Sequence, residues 1–278
     1  MESRPLAPFG AEIVGVDLAA ELDAGTIDAL RAAWRAHKVL VFRDQRIDPA
    51  AQVRFASLFG TPDVYPFRAA LPDDPLVVPI VKEPDETANF GGGWHTDGSW
   101  QAHPPKATVL HAVDVPPRGG DTLFADTAAA FRDLSDGLRR TLLGLEGIYT
   151  PALVHGRDAD HAAVAGDRRG HEEGAAALAE EEVVHPLVRA HPDTGERSIF
   201  CTTVHTHRIR GWTREESTPL LEFLMDHATR EQHVVRVRWQ PGTVALWDNR
   251  CLFHNALNDY PGERRCMHRV IVRGERPV

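Results

Sequence analysis

The chain alternates helix-spaced and strand-spaced apolar positions over most of its 278 residues. From Asp23 to His37, Ile27, Leu30, Ala33 and Trp34 recur at the spacing of one helix face. Lys38-Val39-Leu40-Val41-Phe42 follows as an unbroken apolar run too short for a helix, which predicts a buried strand. Asp48 has the side chain of an N-cap for a helix ending near Phe59, where Gly60 stops it. Ile13 to Asp17, Thr108 to Val113, Thr122 to Ala125, Val234 to Trp239 and Val244 to Trp247 read as strands. Further helices are predicted over Thr127 to Leu145 and, behind a Thr213 cap, from Arg214 to about Arg230. Strands separated by turns such as Gly119-Gly120 and Pro241-Gly242 dominate, so the expected class is mainly β with flanking helices.

Between His155 and Glu182 this periodicity lapses into Ala, Gly, Asp, Glu and Arg. Such a segment buries little surface, which predicts a mobile loop over 155–182, either a lid or plain disorder. No composition shift marks a second unit, so 1–278 is expected to be a single domain.

Composition narrows the partners. A formal charge of −9 and a pI near 5.9 repel polyanions, which argues against nucleic acid. No apolar run approaches the roughly 20 residues that span a bilayer, and the polar start Met1-Glu2-Ser3-Arg4-Pro5 carries no secretory pattern. Cys201, Cys251 and Cys266 form no disulfide framework and fit a reduced cytoplasm. A cytoplasmic protein acting on a small molecule, away from membranes, is the expectation; a homo-oligomer is allowed but not required.

The chemistry concentrates in Gly91-Gly92-Gly93-Trp94-His95-Thr96-Asp97. In an extended strand, His95 and Asp97 project to one side while Thr96 faces away, so both can reach one ion. His254, beyond the Val244 to Trp247 strand, supplies a third ligand. Two histidines and one carboxylate make a facial triad with open positions, the arrangement of non-haem Fe(II) oxygenases. Farther on, alternation puts Arg265, Met267, Arg269 and Ile271 on one face, and guanidinium suits carboxylate or sulfonate. The bland alternative pairs those arginines with Asp248 and Glu263 on an edge strand. His205 and His207 repeat the two-residue spacing without a carboxylate partner. His155, His161 and His171 read as solvated, and His268, facing away from Arg269, as structural. Cys251 and Cys266 would be open to oxidation if they lay beside iron.

Taken in order, Trp94-His95-Thr96-Asp97, Gly119-Gly120-Asp121-Thr122-Leu123-Phe124, Trp247-Asp248-Asn249-Arg250, Asn258-Asp259-Tyr260 and Met267-His268-Arg269-Val270 carry a resemblance. The chain resembles the taurine dioxygenase and chlorophenoxyacetate dioxygenase group of Fe(II)- and 2-oxoglutarate-dependent oxygenases over nearly its whole length. With the strand-and-turn pattern, the resemblance implies a double-stranded β-helix, or jelly-roll, core. It implies His95, Asp97 and His254 as iron ligands, Thr122 and Arg265 on the distal carboxylate of 2-oxoglutarate, and O2 as the other co-substrate. Arg269 matches the position that pairs with the substrate anion, and Tyr65, Trp100, Thr150 and His205 are the other substrate-pocket candidates. The implied reaction is hydroxylation of a small anion, a sulfonate, sulfate ester or carboxylate, releasing succinate and CO2. Asp97 keeps the triad complete, which argues against halogenation. Pro62 and Gly91 stand where the taurine enzyme has a histidine and an asparagine, and His205 where relatives have phenylalanine, so taurine itself is not expected. Two rival readings use the same ligands: a non-catalytic metal-binding jelly-roll that binds a small acid, and a zinc hydrolase. Both leave Arg265 and Thr122 without a shared co-substrate.

Overall fold

A computed structural model describes residues 1–155 and 181–278. Its largest sheet has eight strands. In spatial order these are Glu2–Pro5, Ala11–Val14, Val39–Phe42, Val244–Asp248, Ala107–Asp114, Arg265–Val272 and Pro62–Asp63, with Val78–Lys82 also paired to Arg265–Val272. Pairing is antiparallel except between Ala11–Val14 and Val39–Phe42. A three-stranded antiparallel sheet of Val234–Val237, Thr122–Asp126 and Leu252–Ala256 faces it. Val41, Leu110, Trp247 and Met267 from the first share one buried cluster with Phe124, Val235 and Leu252 from the second. The molecule is mainly β, with a jelly-roll core and flanking helices.

Strands Val39–Phe42 and Val244–Asp248 are buried at every position. The reason is that helices cover the outer face, so both faces of the pleat are dry. Leu40, Phe42, Val244 and Leu246 pack outward against Leu30, Trp34 and Phe55 of those helices. Edge-to-face contacts run from Phe42 to Phe55, Phe55 to Phe59 and Phe59 to Trp34, with centroids 5.3, 5.4 and 5.3 Å apart. Helix Ala24–His37 starts where Asp23 accepts the Thr26 amide, and helix Pro49–Ser57 where Asp48 accepts that of Ala51. Helix Arg214–Ala228 opens on a capping box of Thr213 and Glu216.

Several boundaries differ from the sequence expectation. The helix expected over Thr127 to Leu145 is two helices, Thr127–Asp133 and Asp136–Leu142. Leu134 turns extended between them, and Ser135 accepts the Leu138 amide, a local bond that competes with helix continuation. The strand read from Ile13 lies at Ala11–Val14 and stops before Gly15. That beginning at Val234 ends at Val237. The loop expected over 155–182 lies outside the described residues except at its two ends, as do His161 and His171. Among the described residues no helix is long and apolar enough to cross a membrane.

Candidate metal centre and its two cavities

His95 and Asp97 lie in no regular strand, contrary to expectation. His95 forms a single bridge to His254: the His95 amide donates to the His254 carbonyl at 3.0 Å and the His254 amide returns the bond at 2.7 Å. That bridge docks the glycine-rich segment onto strand Leu252–Ala256, and the Ala256 amide to the Gly91 carbonyl extends it. Gly91 has φ +77, and a Cβ there would sit 3.6 Å from His95 Cε1. Asp97 Oδ1 then lies 3.8 Å from His95 Nε2 and 3.7 Å from His254 Nε2, with imidazole centroids 4.2 Å apart. These separations are too long for hydrogen bonds, so three buried donors converge without bonding one another.

Protonation suits a cation. His95 Nδ1 meets the Gly93 carbonyl at 2.9 Å, which places its proton there and leaves Nε2 a lone pair. Burial lowers the pKa of His95, and burial together with the charges of His95 and Arg269 lowers that of His254 to about 3. Burial pushes the Asp97 carboxyl up, but His254, Arg269, His95 and a Thr108 hydrogen bond outweigh it and hold the group at about 2. At neutral pH the donors are two neutral imidazoles and one carboxylate, the forms that bind metal.

Arg265 and Arg269 share one face of strand Arg265–Val272, each 4% exposed. Neither is paired with Asp248 or Glu263, because Arg250 and His191 already hold the Asp248 carboxylate. Among the described residues, Nε and Nη2 of both arginines meet no hydrogen-bond partner. A narrow cavity of about 40 Å³ is bounded by the three donors, Thr122, Arg265 and Arg269. Thr122 Oγ1 accepts the Trp239 indole N–H at 3.0 Å, so its own proton is available to a ligand. A wider cavity of about 490 Å³ opens from His95 and Asp97 between Tyr65, Phe90, Trp100, His205 and Arg269. Arg269 lies 4.2 Å over the Tyr65 ring and 5.1 Å over Phe90, with Nη1 3.7 Å from Asp97 Oδ1. The donor set fits Fe(II), and a buried guanidinium with unpaired N–H groups beside it fits a dicarboxylate reaching from the ion.

Of the other expected pocket residues, His205 takes its place with Nδ1 2.9 Å from Ser99 Oγ and its ring 6.3 Å from His95. Thr150 bounds neither cavity: its hydroxyl accepts the Ala152 amide and its own amide donates to the His205 carbonyl, so it braces that residue from behind. His207 is near Glu182, at 3.7 Å, and joins no metal-type cluster among the described residues. His268 packs beside His111, ring centroids 6.4 Å apart. Cys251 and Cys266 are buried away from both cavities, and burial raises both thiol pKa values. Cys251 does cluster with His191 and Asp248, but the Asp248 oxygens are spent on Arg250 and His191.

Sequence reasoning missed Phe90 and Thr108. Thr108 donates to Asp97 Oδ2 at 2.6 Å from within strand Ala107–Asp114. Its one signal is a hydroxyl in a largely apolar buried run, and threonine is too common in strands for that to stand out.

A jelly-roll that gathers two imidazoles, one carboxylate and two buried guanidiniums defines the class of mononuclear non-haem metal oxygenases. The family model described as "Taurine catabolism dioxygenase TauD, TfdA family" matches residues 2–271. An alignment of 286 residues with the alpha-ketoglutarate-dependent sulfate ester dioxygenase of Pseudomonas putida shows 37% identity and covers 100% of this chain and 91% of that protein. An alkylsulfatase of Acinetobacter baylyi is 32% identical over 268 residues, covering 96% and 83% respectively. The crystal structure of a taurine dioxygenase from Burkholderia xenovorans matches with a TM-score of 0.82 and 34% identity over 100% of this chain and 92% of that one. The chain belongs to the TauD/TfdA family and is a dioxygenase dependent on iron and 2-oxoglutarate.

Proposed function

We propose that this enzyme hydroxylates a small organic anion, a sulfate ester or sulfonate ahead of a carboxylate, with release of succinate and CO2. The observation that carries the reading is a pair of buried guanidiniums, Arg265 on the narrow cavity and Arg269 on both, whose Nε and Nη2 meet no hydrogen-bond partner among the described residues. His95, Asp97 and His254 would hold the iron, and Arg265 with the Thr122 hydroxyl would hold the distal carboxylate of 2-oxoglutarate. Bound iron, 2-oxoglutarate and O2 supply the oxidising chemistry, and the protein supplies orientation and exclusion. Arg269 would take the substrate's anionic group, while Tyr65, Trp100 and His205 shape the wall that keeps water out; Thr150 fixes the His205 backbone. A sulfate ester hydroxylated on the carbon bearing its ester oxygen would split into an aldehyde and sulfate. The names of the sulfate ester and alkylsulfatase relatives support that substrate class. A jelly-roll that only binds an acid, or a zinc hydrolase, leaves Arg265 without an occupant.

The same reading takes residues 1–278 as one cytoplasmic oxygenase unit acting on a small molecule rather than on nucleic acid or a membrane. Strands from Glu2 to Val272 sharing one sheet, three buried free cysteines and the acidic balance support it. The test is an anaerobic titration of Fe(II) and 2-oxoglutarate into metal-free protein. Wild type should give a weak visible charge-transfer band that Asp97→Ala and Arg265→Ala lose, and alkyl sulfates or alkanesulfonates should drive succinate release. No band with wild type would overturn the reading.

A further inference from the structure

The Asp97 carboxylate has two oxygens, and Oδ1 makes the closest approach to both imidazoles. Oδ2 lies 2.6 Å from Thr108 Oγ1. The direction of this bond follows from obligate roles along a buried chain. Trp247 Nε1 can only donate, and it meets Asn249 Oδ1 at 2.8 Å. That orients the amide, so Asn249 Nδ2 is the donor 2.9 Å from Thr108 Oγ1. With its oxygen accepting from Asn249, Thr108 has one proton to give, and Asp97 Oδ2 receives it. Thr96 Oγ1 ties the other side by donating to the Asn249 carbonyl at 2.8 Å. Thr108 is 0% exposed, Asn249 and Trp247 2% each, so water does not compete.

We infer that Thr108 is a positioning residue that holds Asp97 as a one-oxygen ligand, with Asn249 and Trp247 setting the polarity of the bond. This rests on Asp97 being a ligand at all. A second Asp97 oxygen on the ion would take a position that the co-substrate and O2 need. The bond keeps Oδ2 turned away and presents Oδ1 to the same point as His95 and His254.

The test uses the full chain, metal-free, titrated with Mn(II) and followed by the paramagnetic resonance signal of the free ion. Thr108→Val keeps the shape and removes the proton; Thr108→Ser restores it. The valine variant should bind Mn(II) about 10–100-fold more weakly, with serine within about threefold of wild type. The charge-transfer band of the Fe(II)–2-oxoglutarate complex should shift in the valine variant alone, which a purely structural role would not produce. Should Thr108→Val fail to fold, Thr108→Ala removes the same donor and must show the same loss. Mn(II) affinity within about twofold of wild type and an unmoved band would overturn the inference, provided Asp97→Ala loses the metal. If Asp97→Ala itself binds Mn(II) like wild type, the ligand assignment falls instead.

Discussion

Arg265→Met should make the empty protein more stable and deprive it of its co-substrate. Arg265 is 4% exposed, its Nε and Nη2 have no hydrogen-bond partner among the described residues, and burial lowers its pKa. Lys82 stands directly across from it in the register of Val78–Lys82 with Arg265–Val272. That lysine is equally buried, its Nζ also lacks a hydrogen bond among the described residues, and it lies 4.6 Å over the Tyr260 ring. Like charges on facing strand positions repel, and an unpaired buried ion costs several kcal/mol. Methionine nearly matches the length without the charge, so ligand-free protein should gain roughly 1–4 kcal/mol, or about 2–4 °C in melting temperature per kcal/mol. Losing one partner of a buried ion pair costs about 3–5 kcal/mol, so 2-oxoglutarate affinity should fall by roughly a hundredfold to a few thousandfold. Thermal melts of metal-free protein and anaerobic 2-oxoglutarate titrations of the Fe(II) form measure the two sides. An affinity within about threefold of wild type would refute the reasoning on the binding side, and a lower melting temperature without ligand would refute it on the stability side.

Arg269→Glu should raise KM for an anionic substrate by roughly a hundredfold, the loss of one buried charge-assisted contact; unchanged kcat and KM would exclude an anion at Arg269. Gly119 has φ +79 and a Cβ there would meet the Asp259 carbonyl oxygen at 2.7 Å, so Gly119→Ala should cost at least about 1 kcal/mol in urea unfolding. His185 is pushed down to about 4, chiefly by burial, against about 6.5 when unfolded, so only the unfolded state takes up its proton between those values. Stability should therefore fall by up to about 3 kcal/mol as pH drops from about 6.5 to about 4, and His185→Gln should flatten that part of a melting-temperature profile. A slope unchanged by the substitution would remove His185 from the account.

Much was legible in the sequence because it is set by neighbours along the chain. The caps at Asp23, Asp48 and Thr213, the buried run Val39–Phe42 and the alternation that puts Arg265 and Arg269 on one face are properties of a few consecutive side chains. The order of His95, Asp97 and His254 was enough to suggest a metal site, although the first two meet through a bridge to His254 and not through a strand of their own. Local competition at Ser135 was harder to read, because an N-cap hydroxyl and a solvated helix serine look alike in sequence.

By itself the sequence determined the donor types, their order and the periodicity of the elements, since those follow from residue identity and short-range backbone geometry. Only the tertiary structure decided that Arg265 Nε and Nη2 meet no hydrogen-bond partner among the described residues, that Asp248 belongs to Arg250 and His191, that Thr150 stands behind His205, and that Thr108 holds one Asp97 oxygen. His191 on Asp248, Thr150 behind His205 and Thr108 on Asp97 join separate segments, where burial removes water as a competing partner and makes a single paired or unpaired hydrogen bond count.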